Sequence, residues 1–399
     1  MGLMMYKIKN DILAASCVAS ILFVAIICLG LSLAILPLFV NKILHLSPLF
    51  VGGVISVESI STLLSRASSG RYSDKKGPKK GMIAGLTLIV LSGVLVCISF
   101  VLKENVIASY IVLIISRIIM GVGESLVFTC SGTWPIGLVG REHAGKIMSW
   151  VGIAMFMGLA LGNYIGVWSF YKYNIMVSAI SITLFPLLGF IIVCIVRSVH
   201  YHPDVISPSI VYGIRKIWRA GTGFALANIG YASITTFLVL LFIDNDWGRY
   251  SALGLSLFGI GYVTSRLTIG WAADHVGLKT TIFSLALEAL GLLFVGLSVN
   301  MYLSMFGAFL TGFGLSMVYP LLALPAIKNM PEENIGFAIS LYESCFDIGI
   351  LISGFLGGLI VSCFGLQYIF YFSFICCLIA IPLSVMAYQV SSTLNKECR

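Results

Sequence analysis

Long apolar runs follow one another along the whole chain, each broken by a few charged or turn-forming residues. Twelve runs can be counted, at roughly 12–41, 47–71, 81–102, 107–135, 146–169, 175–197, 216–243, 249–273, 279–299, 301–326, 335–362 and 366–390. A helix needs about 20 apolar residues to cross the hydrocarbon of a bilayer, and these runs reach that length. The breaks carry Lys42 and Pro48, the stretch from Asp74 to Lys80, Arg141 to Lys146, or Asp274 to Lys279. The pattern predicts an all-α membrane protein of twelve transmembrane helices. The longest break, from Arg197 to Arg219, predicts an N-terminal six-helix bundle over 1–197, a cytoplasmic linker over 198–215 and a C-terminal six-helix bundle over 216–399. The first run is longer than the roughly 7–15 apolar residues of a signal-peptide core, and so is expected to stay as a span.

Composition agrees with lipid as the solvent. Hydrophobic residues make up 59% of the chain and charged residues 10%, against about 25% charged in soluble domains. The 24 Lys and Arg divide as 17 on the side of the N-terminus, four on the opposite side (Lys42, Lys103, Lys172 and Arg249) and three inside spans (Arg66, Arg117 and Arg266). Basic loops stay in the cytoplasm, so both termini are expected there, with the chain in the cytoplasmic (inner) membrane. The basic residues sit in short loops rather than in a nucleic-acid footprint, and no nucleic-acid partner is expected. The ten cysteines are scattered with no CxxC pair, and His200 and His202 lack the acid or thiol neighbours of a metal site. No metal and no cofactor are expected. No nucleotide loop or nucleophile–base set is visible, and the loops are too short for a soluble catalytic domain. A membrane enzyme or receptor is thereby disfavoured.

The chain also repeats itself. Residues 65–80 read SRASSGRYSDKKGPKK and residues 265–280 read SRLTIGWAADHVGLKT. Ser65, Arg66, Gly70, Asp74, Gly77 and Lys79 recur 200 residues later as Ser265, Arg266, Gly270, Asp274, Gly277 and Lys279. Weaker echoes lie 191 residues apart: Gly121, Gly123 and Ser125 return as Gly312, Gly314 and Ser316, and Gly145 and Ser149 as Gly336 and Ser340. Six spans per half make the two halves parallel repeats, a plan that puts a substrate site near the midplane.

The pattern G-x-x-x-D-x-x-G-x-K between spans 2 and 3, doubled between spans 8 and 9, resembles the signature loop of the major facilitator superfamily. Arg117, Gly121 and Gly123 resemble that superfamily's span-4 motif. The run GESLVFTCSGTWPIGLVGREHAGKIMSWVGIAMFMGLALG, from Gly123 to Gly162, is similar to the arabinose-efflux-permease-like proton antiporters, some relatives of which export carboxylate-type siderophores. Where efflux members often carry Gly-Pro late in span 5, Gly162 is here followed by Asn163 and Tyr164. The resemblance implies the major facilitator fold and a secondary active transporter working by alternating access. It implies proton-coupled export of a small organic molecule, a drug or a metabolite. Import of a sugar, organic acid or siderophore is the alternative. Protons, membrane lipids and a small-molecule substrate are the implied partners, and a monomer the implied state.

Ionisable groups inside hydrocarbon are costly and mark function. Arg117 lies roughly 15 Å into span 4 at about 1.5 Å per residue, too deep to reach water, and needs an acidic partner. Glu343 and Asp347, four apart on span 11, share a helix face and resist ionising together. With span 11 near span 2, as the resemblance implies, Glu58 joins them. The proton-coupling set is therefore Glu58, Arg117, Glu343 and Asp347. The resemblance makes Gly70, Asp74, Gly77, Lys79, Gly270, Asp274, Gly277 and Lys279 gating-loop residues, with Asp74 latching near the start of span 11. Substrate-cavity candidates are Glu124, Thr129, Trp134, Asn228, Tyr231 and Tyr319. Arg66 and Arg266 lie close enough to the cytoplasmic boundary to snorkel and are read as structural; the resemblance would put span 9 on the outer rim, and Glu288 is read as structural there.

Overall fold

The computed structural model describes residues 2–173, 175–199, 208–269, 277–297 and 299–397. Twelve helices follow in order: α1 (Gly2–Leu38), α2 (Pro48–Lys76), α3 (Pro78–Val101), α4 (Val106–Val139), α5 (Ala144–Lys172), α6 (Ile175–Ile195), α7 (Ile210–Asp244), α8 (Ser251–Thr268), α9 (Leu278–Leu297), α10 (Met301–Lys328), α11 (Ile335–Phe364) and α12 (Leu366–Glu397). The chain is an all-α membrane protein. Among the described residues ten helices are long and apolar enough to span a bilayer; α2 and α8 are not in that set. In α2 the cause is a polar inner side with Glu58, Thr62, Ser65, Arg66, Ser69 and Ser73 all buried.

Local chemistry sets the ends. Asn105 caps α4 by accepting from the Ala108 N–H at 3.1 Å, and Asn300 caps α10 through Leu303 at 2.9 Å. Such a side-chain oxygen satisfies one of the four orphan donors of a helix start. α2 runs to Lys76 rather than stopping near 71, because Lys75 and Lys76 complement the negative end of the helix dipole. It ends at Gly77, whose φ of 88° suits glycine, and Pro78 opens α3. α7 begins at Ile210, capped by Ser209. Residues 210–215, expected in the linker, are therefore helical.

Two compact units emerge. The first contains residues 1–141, 150–207 and 332–340; the second contains 142–149, 208–331 and 341–399. In the first, α4 packs on α1, α2 and α3, and α6 packs on α1 and α3. In the second, α10 packs on α7, α8 and α9, and α12 packs on α7 and α9. The same scheme recurs with every helix number raised by six, so the repeat seen in the loop extends to the packing. Each unit also holds the first turns of one helix otherwise assigned elsewhere: 332–340 lead into α11 and 142–149 into α5.

Candidate functional site

In the first unit the buried chemistry centres on α2 and α4. Arg117 is fully buried, with Nη1 3.3 Å from Oε2 of Glu58, which is also buried. Nη2 donates to Ser92 Oγ and Ser116 Oγ, each at 3.0 Å. Among the described residues Arg117 Nε and Glu58 Oε1 have no hydrogen-bond partner. The acidic partner that depth demanded is thus supplied, and the guanidinium is held in a half-polar cradle. Gly121, one turn past Arg117, makes the approach of α2 possible: a Cβ there would stand 2.6 Å from the Glu58 carbonyl oxygen. Ser92 and Ser116 were not singled out in the sequence. Their only signal was small polar residues inside apolar runs.

Glu124 lies on the same seam, where Thr62 Oγ1 donates to its Oε2 at 3.0 Å. Thr129 is fully buried, and its Oγ1 has no hydrogen-bond partner among the described residues. Trp134 is fully buried too, and its indole N–H donates to the Arg197 carbonyl at 2.9 Å. Lys79 Nζ sits 5.9 Å from the Trp134 ring centroid and donates to the Val196 carbonyl at 2.6 Å. This places Trp134 in a packed corner beside the end of α6.

The signature loop is built around Asp74. Its Oδ1 accepts the Gly336 N–H at 2.7 Å and its Oδ2 the Phe337 N–H at 2.9 Å. A carboxylate on two orphan N–H groups at a helix start is favoured by both hydrogen bonding and dipole. Asp74 stands beyond the apolar stretch that ends at 71. Burial pushes its carboxyl up to about 7, against the pull of the two N–H bonds. Gly70 is a contact position: a Cβ would meet Ser340 Oγ at 2.2 Å and the Gly336 carbonyl at 2.7 Å. The Arg71 guanidinium lies 5.2 Å from the Phe337 ring centroid. In the second copy Gly270 and Asp274 lie outside the described residues. Gly277 and Lys279 are exposed, and the Gly277 carbonyl accepts from the Thr280 and Thr281 N–H groups at 3.1 and 3.3 Å.

In the second unit Glu343 is buried and accepts from Tyr319 Oη at a long 3.5 Å, while Asp347, one turn on, is half-buried. Glu58 belongs to the first unit and these two acids to the second, so the proton-coupling set divides between units. Asn228 is buried, its Nδ2 donating to the Phe224 carbonyl at 2.7 Å. Tyr231 and Tyr319 are half-buried. Each packs against an aromatic neighbour that sequence reasoning missed: Phe346 at 5.8 Å from Tyr231, and Phe224 at 5.4 Å from Tyr319.

Two expectations are corrected. Arg66 and Arg266 do not snorkel; both are 3% exposed. Arg66 lies over the Phe128 ring at 5.3 Å. Arg266 donates to Ser316 Oγ at 3.0 Å, the Met148 carbonyl at 3.1 Å and Tyr262 Oη at 2.8 Å. For Arg266 these internal acceptors replace the water that snorkelling would have sought. Glu288 does not lie on a rim. It is fully buried beside Gly230 of α7 and the Cys377 thiol of α12, because α9 is packed between α10 and α12.

A helical membrane protein with a doubled loop, a repeated packing scheme and charges sequestered at depth is a secondary transporter in architecture. The sequence profile of the Major Facilitator Superfamily matches residues 18–248 and 220–398. A protein described as an uncharacterized MFS-type transporter in Burkholderia pseudomallei strain 1106a is 33% identical over 389 residues, covering 95% of this chain and 93% of that one. One in Salmonella typhimurium strain LT2, described likewise, is 29% identical over 364 residues, covering 91% and 93%. The fold is shared with a bacterial homologue of the iron transporter ferroportin in its outward-facing state (TM-score 0.80, 14% identity, 94% of this chain and 99% of that one). It is shared too with the Escherichia coli fucose:proton symporter (TM-score 0.77, 13% identity, 94% and 99%). The chain belongs to the major facilitator superfamily. It is a secondary transporter, not an enzyme.

Proposed function

We propose that this transporter moves a small organic molecule out across the cytoplasmic membrane in exchange for protons, with both termini in the cytoplasm. The observation that carries the reading is the Glu58–Arg117 pair, held at 3.3 Å in a fully buried setting. A buried pair is weak evidence of stability, since desolvation offsets much of its attraction. Its place in hydrocarbon favours a working role. Protonation of Glu58 would release Arg117 toward the Ser92 and Ser116 hydroxyls that already hold Nη2. Glu343 and Asp347 supply further carboxylates on one face of α11. Asp74, bonded to the Gly336 and Phe337 N–H groups, serves in this reading as a latch that must be released in each cycle.

Proteoliposomes with an imposed proton gradient test the proposal against a panel of candidate substrates. Flux that follows the gradient and vanishes in Glu58→Gln is expected. Flux indifferent to the gradient would sink proton coupling. Accumulation in the opposite sense would support import, the direction open to a fold shared with a fucose:proton symporter.

A further inference from the structure

Glu288 of α9 is fully buried within the second unit. Among the described residues neither Oε1 nor Oε2 makes a hydrogen bond of standard geometry, and the Cys377 thiol of α12 lies beside the carboxyl. A thiol is a weak donor. Gly230 of α7 leaves the carboxyl its room: a Cβ there would stand 2.9 Å from Oε1 and 2.9 Å from Leu292 Cδ1. On the side of α10 stands Gly314, where a Cβ would come within 2.5 Å of the Glu288 backbone N.

The helices around this carboxyl bring it no cation. α9 packs on α10 and α12 and meets α7. Across 220–243, 280–297, 301–327 and 366–390, Glu288 is the single Asp, Glu, Lys, Arg or His. α7 thus faces it with Gly230, α10 with Gly314, and α12 with Cys377, its titratable neighbour among the described residues. An ionised carboxylate there would lose its hydration with neither strong donors nor a cation in exchange, at a far higher cost than the neutral acid.

The internal repeat shows that the packing asks for no acid. Gly123 of α4 recurs as Gly314 of α10. A Cβ on Gly123 would meet the Gly85 carbonyl at 3.0 Å and Ile89 Cγ1 at 3.1 Å, and one on Gly314 would meet the Ser284 carbonyl and the backbone of Glu288. Ile89 therefore holds in α3 the place that Glu288 holds in α9, and the two are 1% and 0% exposed. An acid that never ionised would do no more there than Ile89 does.

We infer that Glu288 is a proton-binding site of the second unit, neutral at rest and unloaded in each transport cycle. On unloading, the carboxyl O–H bond breaks, the proton passes to water and a carboxylate remains until the next proton arrives. The binding of the proton stands on the burial and the packing; its unloading rests on the proton-coupled reading above.

The test reads the infrared C=O stretch that a carboxylic acid has and a carboxylate lacks, on the full chain in lipid vesicles at neutral pH. The parent is expected to show this band. Glu288→Gln should lose it and Glu58→Gln should keep it. Glu288→Leu, apolar like Ile89, takes the place of Glu288→Gln if that variant fails to fold. Parent and Glu288 variant with the same carboxylic-acid absorption would overturn the site, and gradient-following flux in that parent would leave transport standing. Flux of a panel substrate under a proton gradient should fall at least tenfold in Glu288→Gln, whose amide has no proton to release; flux equal to the parent's would overturn the unloading. A band that disappears with Glu288, in a parent whose flux is indifferent to the gradient, would refute proton coupling and leave the proton-binding site standing.

Discussion

Arg117 and Glu58 satisfy each other, and each is a liability without its partner. Removing one member of a buried pair leaves an uncompensated charge and costs about 3–5 kcal/mol. Arg117→Ala is therefore expected to lower the melting temperature of the purified protein sharply. The double change Glu58→Leu with Arg117→Met should recover most of that stability, since apolar replacements of buried pairs are often neutral. Gradient-driven flux should stay absent in the recovered protein. A double variant that both folds and transports would make the pair merely structural. Asp74 offers a second test at this scale. Its carboxyl moves from an ordinary 3.8 to about 7 on docking against Gly336 and Phe337. The docked form thus binds the proton more tightly. Docking is strongest below about pH 4, weakens as pH rises toward 7, and levels off above it. Hydrogen exchange at the Gly336 and Phe337 amides, corrected for intrinsic rate, should show protection falling between pH 5 and 7.5 in the parent. Asp74→Asn should show a flat profile.

At the scale of elements, the contact between α2 and the residues leading into α11 depends on one missing side chain. Gly70→Leu places carbon where Ser340 and the Gly336 carbonyl already stand. Exchange at the Gly336 amide should quicken at least tenfold, with α4 and α6 amides unaffected; unchanged protection would show that the contact can yield. The helices themselves were legible in the sequence, because period and length are local properties. Their ends were less so: α2 outruns its apolar stretch through lysines that suit a helix terminus, and α7 starts six residues before 216, behind Ser209. That Arg117 needed an acid was readable from its depth alone. The acid's identity was not isolated by sequence, because it depends on which helix α4 packs against. The ring contacts of Tyr231 with Phe346 and of Tyr319 with Phe224 were hidden for the same reason, since they join α7 to α11 and α10 to α7. The burial of Arg66 and Arg266 was misjudged because position along a span says nothing of the face on which a residue lies.

For the whole molecule, the division of 17 basic residues against four predicts orientation more firmly than any single contact. A fluorescent protein fused after Arg399 should fluoresce, and alkaline phosphatase in the same place should be inactive; the opposite pair of results would invert the topology. The repeat was visible as a loop motif and proved to extend to the helix packing. Among the described residues the chemistry differs between the units: the buried Arg117–Glu58 pair lies in the first, and the ring contacts of Tyr231 and Tyr319 lie in the second.

The inclusion of residues 332–340 in the first unit bears on how the protein is made. Asp74 and its partner Gly336 are separated by 262 residues. At a synthesis rate of about 5–20 residues per second, the carboxylate waits roughly 13 to 50 s for the amides that bind it. Helices α1 to α6 enter the membrane long before their own unit can be completed. Until α11 begins to emerge, a nascent chain carries an unfinished first half with Gly70 and Asp74 uncovered. A ribosome stalled before residue 332 would present that surface to quality control, so about the last sixth of the message decides whether the first half is finished.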